Sequence, residues 1–346
     1  MQAVAKTQAA PGSVEVVEVE RPVAGPGEVL LRNVGGGVCG TDIGFWHWHD
    51  DMAREYKPRL PVVMGHEFGG HVAALGANVD DLAVGDLVAV NPHLTCGVCR
   101  HCTEGALQLC LNRAIMGLQA NGGWAEYTVV PRRNVQILPP STAPEVAALM
   151  EPLAVAVHAV NERCPTRPGD TVLVQGAGPV GLLHLLVARA SGAREVIVTG
   201  LGADGERLAL AEALGGIPIN VEREDTAAAV KRIRPGGADV AYETSGGASA
   251  LQGGLAALAR GGRMALVGFC HAAFPFESMP VVLEEKEIYG CRAYNPATWR
   301  RAAALVGTLH DDLRKLVSHQ LPITEANRAF ELVEARQCLK VVLHPA

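Results

Sequence analysis

Thr171-Val-Leu-Val-Gln175 runs into Gly176-Ala-Gly-Pro-Val-Gly181 and then Leu182-Leu-His-Leu-Leu-Val-Ala-Arg-Ala190, and the reading of this stretch decides the fold. An apolar strand, a glycine turn and an apolar helix, in that order, begin a βαβ unit. The glycines answer three needs: a tight turn at Gly176, close approach of backbone to a pyrophosphate at Gly178, and close packing of helix on strand at Gly181. With Pro179 and Val180 between them, they put the unpaired N–H groups and positive dipole end of a helix where phosphate binds. The alternation then continues through REVIVTG (194–200), ERLALAEALGG (206–216), IPINV (217–221), DVAYETSG (239–246), LQGGLAALARGG (251–262) and RMALVGF (263–269). That is the pattern of right-handed βαβ units around a parallel sheet. The carboxylate expected for the ribose at the end of the second strand is replaced by Gly200. Asp204 is close enough in sequence to serve the ribose hydroxyls instead, Arg207 could meet a 2′-phosphate, and a solvated helix start is the alternative for both. NAD is favoured over NADP.

Upstream the texture differs. Short alternating runs such as VEVVEVE (14–20) and EVLLRNV (28–34), punctuated by VAGPGE and VGD, predict an irregular, mostly β domain over residues 1–157. Residues 158–293 form the dinucleotide domain. After residue 293 the pattern gives a helix over 300–308, a proline turn, a helix over 326–335 and a final strand, KVVLH, so 294–346 is expected to return to the first domain. A chain of 346 residues that is 49% hydrophobic has enough apolar surface for two cores. A net charge of -6 without a Lys/Arg run excludes a nucleic-acid partner. No stretch of eighteen uncharged apolar residues excludes a membrane span, and MQAVAKTQAAPGSVEV has no basic segment before an apolar core, so the expected location is the cytoplasm.

Cys96, Cys99, Cys102 and Cys110 fall in a C-x2-C-x2-C-x7-C spacing within a lobe at about 93–113. Four thiolates leave no position for water, so they predict a closed, structural zinc site, with Gly97 and Gly105 allowing the turn around the ion. Disulfides or scattered core thiols are the alternative, and disulfides are rare in the cytosol. A second, open metal site is suggested by Cys39 in GGGVCGTD, by His66 and Glu67 in VVMGHEFGG, and by Glu151 in LMEPLAVAVH: a thiolate, an imidazole and a carboxylate can hold zinc and leave room for substrate. Two zinc ions per chain are expected.

Taken together, GVCGTD, GHEFGG, VGDLVAV, the four-cysteine lobe, GGWAEY, EPLAVAVHAV, GAGPVGLL and HQLPITEANRAFE span essentially the whole chain and resemble the zinc-dependent medium-chain dehydrogenases, which include alcohol, sorbitol, butanediol and threonine dehydrogenases. The resemblance implies an α/β chain made of a GroES-like, mostly β catalytic domain and a doubly wound Rossmann domain, with the active site between them. It implies Cys39 and His66 as ligands of a catalytic zinc, with Glu67 and Glu151 supplying the other positions directly or through water. It implies hydride transfer between a small polar alcohol or ketone and the nicotinamide, the metal making the alcohol acidic. Thr41 resembles the hydroxyl that takes the substrate proton, turn capping being the other role open to it. Gly44 stands where many members carry a relay histidine. His47 and His49, alternating with Trp46 and Trp48, could replace it, line the pocket or simply face water; His93 resembles an active-site histidine of the threonine dehydrogenases, whereas EPLAV is closer to the sorbitol and butanediol branch. Arg292 and Tyr294 are candidate pocket residues. The substrate class is a polyol, sugar derivative, vicinal diol or hydroxy amino acid, and the assembly a homodimer or homotetramer. Two rivals remain: a zinc- and nucleotide-binding protein without turnover, which has no use for Cys39, His66, Glu67, Glu151 and Thr41 together, and a zinc-free quinone or enone reductase, which lacks both metal sites.

Overall fold

The computed structural model describes residues 1–270, 273 and 276–345. The chain forms two compact units, Met1–Pro152 with Asn295–Ala346, and Leu153–Tyr294.

In the Leu153–Tyr294 unit six parallel strands lie, edge to edge, in the order Ile217–Asn220, Glu195–Gly200, Thr171–Gln175, Ala238–Glu243, Leu258–Leu266, Glu287–Gly290. Numbered within the unit this is 3-2-1-4-5-6, the doubly wound order whose switch point lies beside the first strand. Thr171–Gln175 is buried along its whole length, which is why it reads as a continuous apolar run rather than an alternating one. Boundaries inside the LQGGLAALARGG stretch differ from the reading. The helix is Ala248–Ala257, and the residues after it already belong to strand Leu258–Leu266, because Leu258 pairs with Ala238.

The other unit is built around a seven-stranded sheet in which Glu28–Gly37 is the hub. It pairs antiparallel with Glu67–Leu75, with Tyr127–Pro131, and with Lys340–His344. The last of these runs parallel to Val317–Pro322, so the C-terminal segment completes the sheet that the N-terminal segment began. Two short helices, Gly40–Trp46 and Asp50–Tyr56, interrupt the mostly β pattern. The late helix is longer than its 300–308 core of sequence signal: it spans Pro296–Leu316, started by the Asn295 side chain, which accepts from the N–H groups of Ala297 and Thr298, with proline at its first turn. One core cluster gathers Phe45, Met64, Trp124, Phe330, Val341 and Leu343, so residues from both chain segments share it. Among the described residues no helix is long and apolar enough to cross a membrane.

Candidate metal and cofactor sites

The lobe cysteines come together around a short turn. Cys96 and Cys110 have their sulfurs 3.6 Å apart, Cys99 and Cys102 3.6 Å, Cys96 and Cys102 3.9 Å, and Cys99 and Cys110 4.0 Å. Zn–S bonds of about 2.3 Å in a tetrahedron put sulfurs about 3.8 Å apart, whereas a disulfide requires about 2.05 Å. The spacing therefore fits one ion and no S–S bond, and none of the nine cysteines is in a disulfide. Backbone N–H groups prepare the charge. Those of Val98 and Cys99 lower the Cys96 thiol to about 6, and those of Leu111 and Cys102 lower Cys99, while desolvation and the neighbouring thiols push Cys102 up to about 12.

The second cluster joins residues far apart in sequence. One ligand atom each from Cys39, His66 and Glu67 lie within 4.8 Å of one another. Cys39 precedes helix Gly40–Trp46 as its N-cap, and Asp42, the third helical residue, accepts its N–H at 2.9 Å. The other oxygen of Asp42 is 3.4 Å from His66 Nδ1. A carboxylate thus stands behind the imidazole, an arrangement that orients ligating histidines. Burial alone would lower the His66 pKa, but the negative charges of Asp42 and Cys39 outweigh it and raise the value well above the ordinary one. Gly65 brings the His66 backbone against Trp124: its φ is +91°, and a Cβ there would sit 2.4 Å from the indole. Glu67 is buried, and its Oε2 accepts from Lys340 Nζ at 2.6 Å. Three ligand atoms of this type, preorganised by a carboxylate and an ammonium, suit a zinc ion with one position left open.

The remaining candidates are placed as follows. Glu151, second residue of helix Met150–His158, is outside the group of Cys39, His66 and Glu67. Thr41 is half-buried in helix Gly40–Trp46, two residues from Cys39. His93 opens strand His93–Leu94, whose partner is Ala114–Ile115, and its ring nitrogens are shielded from solvent. His47 Nε2 lies 2.7 Å from Glu334 and the ring stacks on exposed His49. Trp46 and Trp48 pack against the core, Trp46 with its centroid 5.3 Å from that of Phe330. The FWHWHD run thus splits into a surface ion pair and core aromatics.

The phosphate cradle keeps its geometry. Gly176 has φ +105°, Gly178 is the N-cap of helix Pro179–Ala190, and Pro179 and Val180 form its first turn. A Cβ on Gly181 would fall 1.9 Å from the Gly176 carbonyl oxygen, so only glycine permits this packing, whereas Gly178 faces open space that a pyrophosphate can enter. Glu243, at the end of the neighbouring strand, accepts from the N–H groups of Ser245 and Gly246 at 2.8 and 3.0 Å and fixes the loop beside the cradle. Beyond Gly200, Asp204 is turned inward: it accepts the Leu201 N–H and pairs with Arg207 at 3.1 Å. Neither side chain is a solvated helix start. Glu222, exposed, instead accepts the Gly202 N–H at 2.7 Å. Asp42, Lys340, Glu243 and Glu222 were not singled out from sequence; only Asp42, at the third position of a helix begun by Cys39, carried a local signal.

A doubly wound sheet ending in a phosphate cradle, together with an open and a closed thiolate metal site, defines a zinc-dependent, dinucleotide-linked oxidoreductase. Residues 25–140 match the alcohol dehydrogenase GroES-like domain and residues 179–308 the zinc-binding dehydrogenase domain. The chain is 38% identical to the L-threonine 3-dehydrogenase of Saccharopolyspora erythraea, over 99% of this chain and 98% of that one, and 36% identical to that of Bacillus subtilis, over 100% and 99%. A crystal structure of a zinc-binding dehydrogenase from Sinorhizobium meliloti bound to NADP superposes with a TM-score of 0.92 at 30% identity, covering 99% of both chains. The chain belongs to the zinc-containing medium-chain dehydrogenase superfamily and is a zinc-dependent NAD(P)-linked dehydrogenase of the alcohol dehydrogenase type.

Proposed function

We propose that the chain oxidises the hydroxyl of a small polar secondary alcohol, a hydroxy amino acid of the threonine type foremost, with NAD as acceptor. The convergence of Cys39, His66 and Glu67 carries the chemistry, and the full-length likeness to proteins named L-threonine 3-dehydrogenase selects the substrate class. When bound, zinc supplies the Lewis acidity that makes an alcohol hydroxyl acidic near neutral pH. Cys39 and His66 hold the ion, Asp42 orients the imidazole, and Glu67 or Glu151 offers the further oxygen. Thr41 is the residue that would take the hydroxyl proton, and the Gly176–Gly181 turn would hold the pyrophosphate of a dinucleotide whose nicotinamide would supply the hydride acceptor. His93 is proposed as a substrate-binding residue; the pairing of His47 with Glu334 argues against a relay there. A second zinc belongs to Cys96, Cys99, Cys102 and Cys110.

The preference for NAD rests on Glu222. Its exposed carboxylate beside Gly202 can take the role that Gly200 cannot, and it would repel a 2′-phosphate. A homodimer or homotetramer is proposed, supported by the exposed Met279, Val282 and Leu283 that precede the edge strand Glu287–Gly290, and sedimentation analysis tests it.

The deciding experiment screens L-threonine, vicinal diols, polyols and amino sugars with NAD and NADP, following nicotinamide reduction, alongside elemental analysis of the native chain and Cys39→Ser. Turnover of one of these classes, two zinc ions in the native chain, and one ion with no turnover in Cys39→Ser are expected. A Cys39→Ser enzyme that still turns over would end this reading. Glu222→Ala should raise the relative use of NADP.

A further inference from the structure

Lys340 is 273 residues away from Glu67 in sequence, yet its ammonium donates to Glu67 Oε2 at 2.6 Å and to the Val38 carbonyl at 3.0 Å. The two side chains are 4% and 2% exposed. Gly37 borders the same oxygen: a Cβ there would fall 2.2 Å from Oε2, and Gly37 pairs with Glu67 across the sheet. A side chain is thus excluded on one side of the carboxylate and a cation is fixed on the other. Lys340 is anchored by its strand, which pairs with Val317–Pro322 and, two residues on, with Gly37.

We propose that Lys340 is a positioning residue for the catalytic zinc: by holding Glu67 Oε2 in a buried ion pair it limits that carboxylate to at most one oxygen toward the metal and keeps a coordination position open for the alcohol. This rests on the assignment of Cys39, His66 and Glu67 as the catalytic metal group. A buried carboxylate without a counter-charge seeks the nearest cation. Without the ammonium, the cation within reach is the zinc, and both oxygens of Glu67 turn to it. The site then closes.

The test uses the zinc-loaded full chain as native protein, Lys340→Met, Lys340→Arg and Lys340→Met/Glu67→Gln, and measures chelator-driven release of the ion that Cys39→Ser lacks. Release from Lys340→Met is expected to slow about tenfold, in line with the influence of groups behind metal ligands, with kcat falling while Lys340→Arg stays near native. The double variant, with no carboxylate to close the site, should release at the native rate or faster. Release from Lys340→Met that is unchanged or faster overturns the proposal, because a merely structural lysine would loosen the ion when removed. Should Lys340→Met not fold, the cobalt-substituted native protein decides: imidazole should enter the open position and shift the visible spectrum, and no shift means that the position is already closed. A native chain with no ion dependent on Cys39 refutes the underlying assignment rather than the role of Lys340.

Discussion

Replacing His184 with leucine should remove a defined part of the pH dependence of stability. His184 is fully buried in helix Pro179–Ala190, donates Nδ1–H to the Val180 carbonyl at 2.7 Å and packs its ring 5.2 Å from that of Tyr242, while its Nε2 has no hydrogen-bond partner among the described residues. Burial lowers its pKa from 6.5 to about 4, the helix carbonyl opposing only in part. The folded histidine is therefore neutral where the unfolded one binds a proton, so acid favours the unfolded chain. The loss begins as pH falls through the unfolded value and levels off below the folded one. A shift of this size corresponds to about 3 kcal/mol in full, of which about 2 kcal/mol is lost between pH 7.5 and 5.0. Leucine fills similar apolar space and takes no proton, and the helix keeps its own bond to Val180 through the backbone. Urea unfolding of native and His184→Leu protein at pH 7.5, 6.5, 5.5 and 5.0, followed by far-ultraviolet circular dichroism, reads the difference directly. Every other titrating group, the zinc thiolates included, is shared and cancels. The native protein should lose about 2 kcal/mol more than the variant over that interval; parallel curves would refute the argument that this imidazole is desolvated.

Three further outcomes follow from the geometry. Cys99→Ser should retain one zinc of two by elemental analysis and melt about 10 °C lower by calorimetry, since a closed site adds its binding energy to folding; an unchanged melting point would remove the four-thiolate assignment. Gly181→Ala should destabilise by about 2 kcal/mol through the clash with the Gly176 carbonyl and abolish NADH fluorescence enhancement, and intact nucleotide binding would contradict the packing described. Asp42→Asn should weaken the Cys39-dependent zinc about tenfold in chelator competition, and an affinity equal to native would show that Asp42 does not orient His66.

What was legible in the sequence was whatever the chain repeats or concentrates locally. The parallel sheet announced itself because strands buried on both faces are continuous apolar runs, and the glycine turn because Gly176 needs a positive φ and Gly181 must clear the carbonyl of Gly176 five positions before it. The four lobe cysteines were readable for the same reason: their ligand geometry is closed by one turn. The Pro296–Leu316 helix extended beyond its apolar core because its start is set by the Asn295-Pro296 cap rather than by periodicity. Long-range pairing was not visible. Nothing around residue 340 tells that its ammonium meets Glu67, and nothing in FWHWHD tells that Phe330 and Glu334, on helix Ala326–Glu334, claim Trp46 and His47. Asp204 and Arg207, read as alternatives facing a ribose, proved to be partners of each other.

The sheet that carries Glu67, and is flanked by Cys39 and His66, is finished by a strand made only after residues 153–294 have been synthesised. During translation the nucleotide-binding unit can close on itself while its elder neighbour still waits, its acidic metal group lacking the lysine that offsets it. In sequence, therefore, the unit that begins first is completed last, whereas the four cysteines of the sulfur lobe lie within fifteen residues and emerge together.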